Sequence, residues 1–185
     1  YQCDWSSDVC SSDLLLSEAG LKYDYDIQCC APTLILQYAR QLGIKHKLIT
    51  LTAYVRHRHI FRQQLARNAE ISEDTAKRLI NALFNGARLG NNVDFKTSEM
   101  LNYDWAKIAY LKQDPFVVEL RRDIQRCWAT IKQHEPRLEL VDRDGVVTAQ
   151  KFNSRRKWAV YFRLERQVMT AIKTYVKSQR VRCLD

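Results

Sequence analysis

Hydrophobic residues recur along this 185-residue chain mostly at the spacing of an α-helix. Apolar positions three and four residues apart predict helices over residues 32–42, 48–68, 72–90, 100–110 and 115–133, and a long helix from about Ser154 onward. In two other segments, apolar and polar residues alternate. Residues 23–27 (Tyr-Asp-Tyr-Asp-Ile) predict a short strand with both carboxylates on one face, and residues 137–150, with Gly145 at the turn, predict a β-hairpin. The pattern therefore predicts a helix-rich α+β fold.

Three of the predicted helices carry end signals in the sequence. Gly43 follows the first apolar pattern and suits a C-cap, because glycine adopts the left-handed conformation without strain. Ser72 is a suitable N-cap, and the acidic pair Glu73-Asp74 favours the positive end of the helix dipole. Pro115 fits the first turn of its helix, where no backbone N–H is needed.

The start of the chain is interpreted separately from the rest. Residues 5–14 resemble the translation of a sequencing-adapter junction, so residues 1–13 are set aside as an artefactual leader, as a tag would be. These residues hold three aspartates and no base, and their removal changes the formal net charge from +9 to +12. The remaining residues 14–185 are long enough to form one domain with a buried core.

A strongly basic charge on one domain predicts a polyanionic partner, because each neutralised phosphate releases condensed counterions. Residues 151–182 hold ten bases and one acid, Glu165. A solvated helix face is the alternative explanation of such a run, but this excess is more than solubility requires. We therefore expect nucleic-acid contacts here, and the candidates are Arg155, Arg156, Lys157 and Arg163, together with Arg88 from residues 72–90.

Other candidate chemistry is limited. The cysteines outside the leader are Cys29, Cys30, Cys127 and Cys183, whose spacing predicts no disulfide framework or zinc site and suits a reducing cytoplasm. His57 and His59 are two residues apart on a predicted helix, so their imidazoles should point in different directions. No apolar run is long enough for a membrane segment.

Residues 23–39 carry the first resemblance to a known family. Asp26, followed by Pro32-Thr33 and an apolar helix, resembles motif A of replicative DNA polymerases. The wider stretch is more similar to a group of phage and prophage polymerase-like proteins, through positions that this chain shares with them: Tyr25, Asp26, Ile27, Cys29 or Cys30, Ile35, Leu36, Gln37 and Ala39. The resemblance implies that Asp26 ends a palm strand and binds two Mg²⁺ ions, with Asp24 as a weaker candidate ligand.

Residues 72–90 carry a second resemblance, to motif B, the fingers helix of family B DNA polymerases. Lys77, Asn81, Phe84 and Gly86 follow the order of that motif, with one residue inserted before the glycine. On an ideal helix Lys77, Asn81, Phe84 and Arg88 would share one side. The resemblance implies that Lys77 contacts the incoming dNTP, that Asn81 and Phe84 line the nucleotide pocket, and that Arg88 follows template or primer phosphates.

The same family places a strand ending in His-Asp-Gly, its motif C, after a helix like the one predicted from Ser154. Here the chain ends at Asp185, which makes this residue a further candidate metal ligand. We therefore expect a fragment that is truncated before or at motif C. Its metal site would be incomplete and the fragment inactive, because two close Mg²⁺ ions need several anionic oxygens.

The resemblance implies a partial polymerase palm with short strands and a helical fingers subdomain, encoded by a phage or prophage and acting in the bacterial cytoplasm. Residues 137–180 would supply the hairpin and the basic helix. The predicted reaction is Mg²⁺-dependent nucleotidyl transfer to a primer 3′-OH on a DNA template. The alternative is a non-enzymatic, basic, helical nucleic-acid-binding module of phage origin, for which Asp26 and Lys77 would be dispensable.

Overall fold

The computed structural model describes residues 30–136, 139–141, 147–149 and 152–182. Within these ranges the chain forms seven α-helices and one pair of short strands. In chain order they are α1 (Cys30–Gln41), α2 (Ile49–Asn68), α3 (Glu73–Phe84), α4 (Lys96–Met100), α5 (Trp105–Gln113), α6 (Pro115–His134), β1 (Glu139–Val141), β2 (Val147–Ala149) and α7 (Ser154–Arg182).

Side-chain caps fix the starts of three helices. The Ser72 hydroxyl accepts a hydrogen bond from Thr75 N at 3.0 Å, which confirms the predicted start of α3. Asp114 accepts from Val117 N at 3.0 Å at the start of α6, where Pro115 occupies the first turn as predicted. Asp104 caps α5 by accepting from Lys107 N at 3.1 Å. Each cap satisfies a backbone donor that has no partner inside its helix.

Helix α6 lies at the centre of the core and contacts α1, α2, α3 and α5. Its apolar stripe is fully or almost fully buried: Val117, Leu120, Ile124, Cys127, Trp128 and Ile131. Burial of one aliphatic side chain of this kind contributes about 1.5–3 kcal/mol, so the stripe is a major source of stability. Tyr54, Phe61 and Phe116 extend the core between α2 and α6, and the rings of Phe61 and Phe116 stack with their centroids 4.8 Å apart.

The start of α2 is capped from another helix. Leu48 precedes α2 and has no side-chain cap, and the first hydrogen bond along the helix runs from Thr52 N to Leu48 O. The preceding donor, Leu51 N, instead bonds to Oδ2 of Asp123 on α6 at 3.1 Å. Arg126 lies 3.4 Å from the other carboxylate oxygen. Asp123 is 2% exposed, so this bond is shielded from water. It joins α2 to α6 and so helps to fix how the two helices pack.

The predicted α+β palm is wrong for the part of the chain that the structure describes. Its β structure is confined to β1 and β2, two three-residue strands that pair antiparallel with Glu139 opposite Ala149. The period-two pattern of residues 137–150 therefore corresponds to a hairpin with no neighbouring strand among the described residues, whereas a palm needs a sheet. The strand predicted at residues 23–27 lies outside the described ranges.

Two predicted helices have different bounds. The helix predicted over residues 72–90 ends at Phe84, and Gly86 follows with a φ of +85°. The helix predicted over 100–110 is interrupted between α4 and α5, where Asn102 and Tyr103 have φ angles of 50° and 57°. Among the helices of the described ranges, none combines the length and apolarity needed to cross a bilayer.

Candidate functional site

A cleft of about 430 Å³ opens where the end of α3, the middle of α6 and the start of α7 meet. Its residues fall into two groups, an apolar floor and a basic rim. The floor includes Leu83, Leu89, Phe95, Ile124 and Trp128, and the rim is formed by Arg88, Arg121 and Lys157, with Gln125 beside them. We call this the basic cleft. No carboxylate lines it among the described residues.

One wall of the basic cleft is the loop that follows α3, and two glycines allow it to pack closely. A Cβ atom at Gly90 would lie 2.9 Å from the Phe95 ring, so only glycine lets this ring pack against the backbone there. Gly86 has a positive φ, and a Cβ there would lie 3.4 Å from Lys157 Nζ. The turn that ends α3 and the packing of the Phe95 ring therefore both depend on glycine.

Two buried hydroxyls on α4 form hydrogen bonds with backbone carbonyls of the same loop. The Thr97 hydroxyl donates to the Arg88 carbonyl at 2.6 Å. The Ser98 hydroxyl lies 3.2 Å from the Gly90 carbonyl and 2.8 Å from that of Asn92. Both residues are 0% exposed, so these bonds are shielded from water. They position the backbone of Arg88 at the rim.

Lys157 links the rim to the floor of the basic cleft. Its ammonium group lies 5.3 Å from the centroid of the Trp128 ring, within the range of a cation–π interaction. The Trp128 indole N–H in turn donates to the Phe84 carbonyl at 3.3 Å, which holds the ring against the end of α3. Burial lowers the pKa of Lys157, because the charged amine has lost part of its hydration. A bound anion would compensate for that loss.

The rim cations carry charge that the described residues do not neutralise. The ion pairs of the described ranges join Lys107 to Asp104, Arg122 to Glu119, Arg126 to Asp123 and Arg163 to Glu135. None of them includes Arg88, Arg121 or Lys157. Three like charges around one concave surface produce a positive potential that attracts anions. The chemistry of the basic cleft is therefore that of an anion site above an apolar floor.

The residues predicted to contact nucleic acid separate into two sets. Arg88 and Lys157 line the basic cleft, and Arg155 is exposed at the start of α7. Arg156 is 8% exposed, donates to the Pro136 carbonyl at 2.8 Å and lies over the Phe152 ring. Its guanidinium is thus committed to holding α7 against the end of α6. The phosphate contact expected of Arg156 stays a prediction.

Arg163, whose phosphate contact also stays a prediction, has two protein partners in the structure. Its guanidinium makes two hydrogen bonds to the Glu135 carboxylate and a third, at 3.3 Å, to the Tyr38 hydroxyl. Tyr38 donates to Glu135 at 3.0 Å. Burial raises the pKa of Glu135, but hydrogen bonds from Arg163 and Tyr38 outweigh it and hold that pKa below its ordinary value. This triad joins α1, the end of α6 and α7.

The predicted nucleotide-binding residues on α3 differ in exposure. Phe84 is 2% exposed and packs in the core, so its part in lining a nucleotide pocket stays a prediction. Arg88 lies beyond the end of α3 and therefore leaves the helical side that it was expected to share. Lys77 and Asn81 are partly exposed on α3, and neither lines the basic cleft.

The candidate Mg²⁺ ligands Asp24, Asp26 and Asp185 lie outside the described residues. Whether Asp26 and Lys77 face one triphosphate therefore stays a prediction. Among the residues that are described, no group of three or more histidine, cysteine or acidic side chains could hold a metal ion. His57 and His59 are both exposed, and His57 interrupts α2 with φ and ψ of −127° and 37°.

Four residues of the basic cleft were missed by the sequence analysis: Phe95, Arg121, Gln125 and Trp128. Three of them, on α6, follow a helical spacing of four and three residues, so a shared face was visible in the sequence. The face of an isolated helix does not, however, show which other elements complete a cleft. Phe95 had no such signal, because it lies in a loop.

Comparisons with known proteins give no relative from which a role could be transferred. No family model matches the chain, and neither the curated proteins nor the solved structures include a significant match. The geometry and charge of the basic cleft therefore remain the basis for assigning a function.

Proposed function

We propose that this chain is a helical nucleic-acid-binding module whose basic cleft holds backbone phosphates. The observation that carries the proposal is the group of three cations, Arg88, Arg121 and Lys157, that share one concave surface without an ion-pairing carboxylate among the described residues. Arginine and lysine are the residues that proteins use to neutralise phosphates. The formal net charge of +9 adds long-range attraction for a polyanion.

Nucleotidyl transfer remains a separate prediction with less support. It needs Asp26 and further carboxylates, which lie outside the described residues, and it places Phe84 in the nucleotide pocket, although this side chain is buried in the core. Nucleic-acid binding alone requires neither feature. It uses residues whose positions and charges are known, and it is therefore the function that the geometry supports best.

The proposal can be tested by fluorescence anisotropy with a labelled 20-nucleotide DNA strand, titrated with the 185-residue chain at several salt concentrations. We expect the logarithm of affinity to fall linearly with the logarithm of salt concentration. Arg88→Gln, Arg121→Gln and Lys157→Gln should each reduce the slope by about 1 and the affinity at 0.1 M salt roughly tenfold, as expected for loss of one phosphate contact.

Arg122→Gln is the matched control for Arg121→Gln. Both substitutions remove one positive charge from α6, but Arg122 pairs with Glu119 and does not line the basic cleft. Its effect on affinity should be less than twofold if contacts in the cleft dominate. Equal losses in all four variants would show that only net charge matters. Binding that does not depend on salt, or no binding at all, would contradict the proposed function.

A further inference from the structure

We infer that the basic cleft takes an unpaired nucleotide, with its phosphate at the cationic rim and its base on the apolar floor, so that the ligand is single-stranded nucleic acid. The inference rests on the proposed function and goes further by naming the strand form. It also assigns a role to Phe95, which neither the charge pattern nor the motifs singled out.

The floor of the basic cleft is apolar. A site for phosphate alone needs donors and cations, yet this cleft continues below its rim into Leu83, Leu89 and Ile124. Phe95 adds a half-buried aromatic ring, and the largely buried Trp128 adds another. An apolar surface with rings is suited to a nucleobase, because every base has a flat face that stacks without regard to sequence.

The shape of the basic cleft suits a single strand better than a duplex. A protein reads duplex DNA by inserting a protruding helix or ribbon into a groove, and the bases of the duplex stay stacked inside it. The basic cleft is a concavity of about 430 Å³ walled by α3, α6 and α7 and the loop after α3. This volume lies within the range of small-ligand sites. An unstacked base can enter such a concavity, whereas a paired base cannot.

The cations of the basic cleft lie next to its apolar floor. Lys157 contacts both, because its ammonium lies over the face of Trp128 while it also lines the rim. In a nucleotide the negative phosphate and the apolar base are likewise joined within one small unit. Gln125, exposed beside the rim, offers both a donor and an acceptor to the edge of a base. Its amide suits several bases, which predicts little sequence preference.

The test compares three polyanions in the anisotropy assay: a labelled 12-nucleotide oligothymidylate, the same strand annealed to its complement, and a 12-unit abasic strand that has the phosphates and no bases. We expect the oligothymidylate to bind roughly tenfold more tightly than either of the other two at equal salt, since stacking of one base accounts for about that factor. The abasic arm needs no protein variant, so it is independent of any effect on folding.

Phe95→Leu tests the floor directly, and Phe162→Leu is its control. Phe162 is an exposed ring, 48% accessible, on α7 and outside the basic cleft. Phe95→Leu should weaken oligothymidylate about tenfold and leave the abasic strand unchanged, whereas Phe162→Leu should change neither. Circular dichroism melts of both variants verify that each is folded at the assay temperature.

The outcomes separate this inference from the proposed function. Equal affinity for all three polyanions, together with no effect of Phe95→Leu, would overturn the inference. The proposed function would stand in that case if Arg121→Gln still reduced the salt slope. Competition by thymidine monophosphate at the same concentration as the strand would also overturn it, because the occupant would then be a free nucleotide. No binding of any of the three would overturn both.

Discussion

The bond between Asp123 and the start of α2 predicts a large loss of stability when it is removed. Leu51 N is 3.1 Å from the Asp123 carboxylate, both residues are buried, and the helix offers this N–H no other acceptor because its first internal bond begins at Thr52. Asp123→Ala leaves a buried donor unpaired and removes a negative charge from the positive end of α2. The two effects together should cost about 3 kcal/mol.

Asp123→Asn separates the two effects. Its side-chain carbonyl has the same shape and still accepts from Leu51 N, so only the interaction of the charge with the helix dipole and Arg126 is lost, which should cost about 1 kcal/mol. Arg126→Ala removes the ion partner alone, whose side chain is 35% exposed. For such a partly solvated pair we expect less than about 1 kcal/mol.

Urea denaturation followed by circular dichroism measures all three variants. The order of stability should be wild type, then Arg126→Ala and Asp123→Asn, then Asp123→Ala, with an unchanged dependence of the free energy of unfolding on urea. The melting temperature of Asp123→Ala should fall by roughly 6–12 °C for a chain of this size. Equal stability of Asp123→Asn and Asp123→Ala would refute the assigned hydrogen bond. A larger loss in Arg126→Ala than in Asp123→Ala would refute the helix-capping role.

Two further predictions concern pH. Because Arg163 and Tyr38 hold the pKa of Glu135 below its ordinary value of 4.5, the stabilisation is present above that value and lost as pH falls through the pKa of the folded state. Glu135→Gln should therefore lower the melting temperature at pH 7 and reduce its further decline between pH 5 and pH 3. An undiminished decline would contradict this. Burial lowers the pKa of Lys157, so the affinity for oligothymidylate should fall as pH rises past that lowered value. Lys157→Arg should keep its affinity to higher pH, as anisotropy would measure, since arginine stays charged; identical pH profiles would exclude a contact with the ligand.

The positions of most helices could be predicted because apolar spacing and capping residues agree there. The predicted bounds of the helix that became α6, 115–133, differ from the observed Pro115–His134 by one residue. Its apolar residues pack against several other helices, and Asp114 and Pro115 are the capping and first-turn residues at its start. The predicted palm rested instead on the resemblance of residues 23–39 to motif A. Alternation over residues 137–150 predicted only a hairpin, and such a pattern does not indicate how many further strands join it.

The end of α3 illustrates why apolar spacing can mislead. Ala76, Ile80, Leu83 and Ala87 fit one continuous helical stripe, which is why a helix over residues 72–90 was expected. The helix nevertheless ends at Phe84, and Leu89 reaches the core from a loop that turns at Gly86. An apolar residue indicates that its side chain is buried, but it does not indicate whether that residue lies in a helix or in a loop. The same turn removed Arg88 from the predicted helix and placed it on the rim of the basic cleft.

The sequence predicts that basic residues contact nucleic acid, but it does not show which arginines and lysines are available to do so. Arg155 and Arg156 are neighbours in the sequence, yet one is exposed and the other is held by Pro136 and Phe152. Arg121 and Arg122 differ in the same way, since only Arg121 lines the basic cleft. Successive residues of a helix point about 100° apart, so adjacent arginines have different surroundings. Their roles therefore depend on packing between helices, which a single sequence does not specify.

The distribution of carboxylates supports a binding role for the basic cleft. The chain places Glu135 against Arg163, which joins the end of α6 to α7. It places Asp123 against Arg126 within α6, and the same carboxylate caps the start of α2. Three further cations are gathered around one cavity with no such partner among the described residues, although their mutual repulsion opposes folding. Proteins tolerate local destabilisation of this kind mainly where a ligand relieves it. Phosphate would relieve it here, and the apolar floor beneath the cations then determines which phosphate-bearing ligands fit.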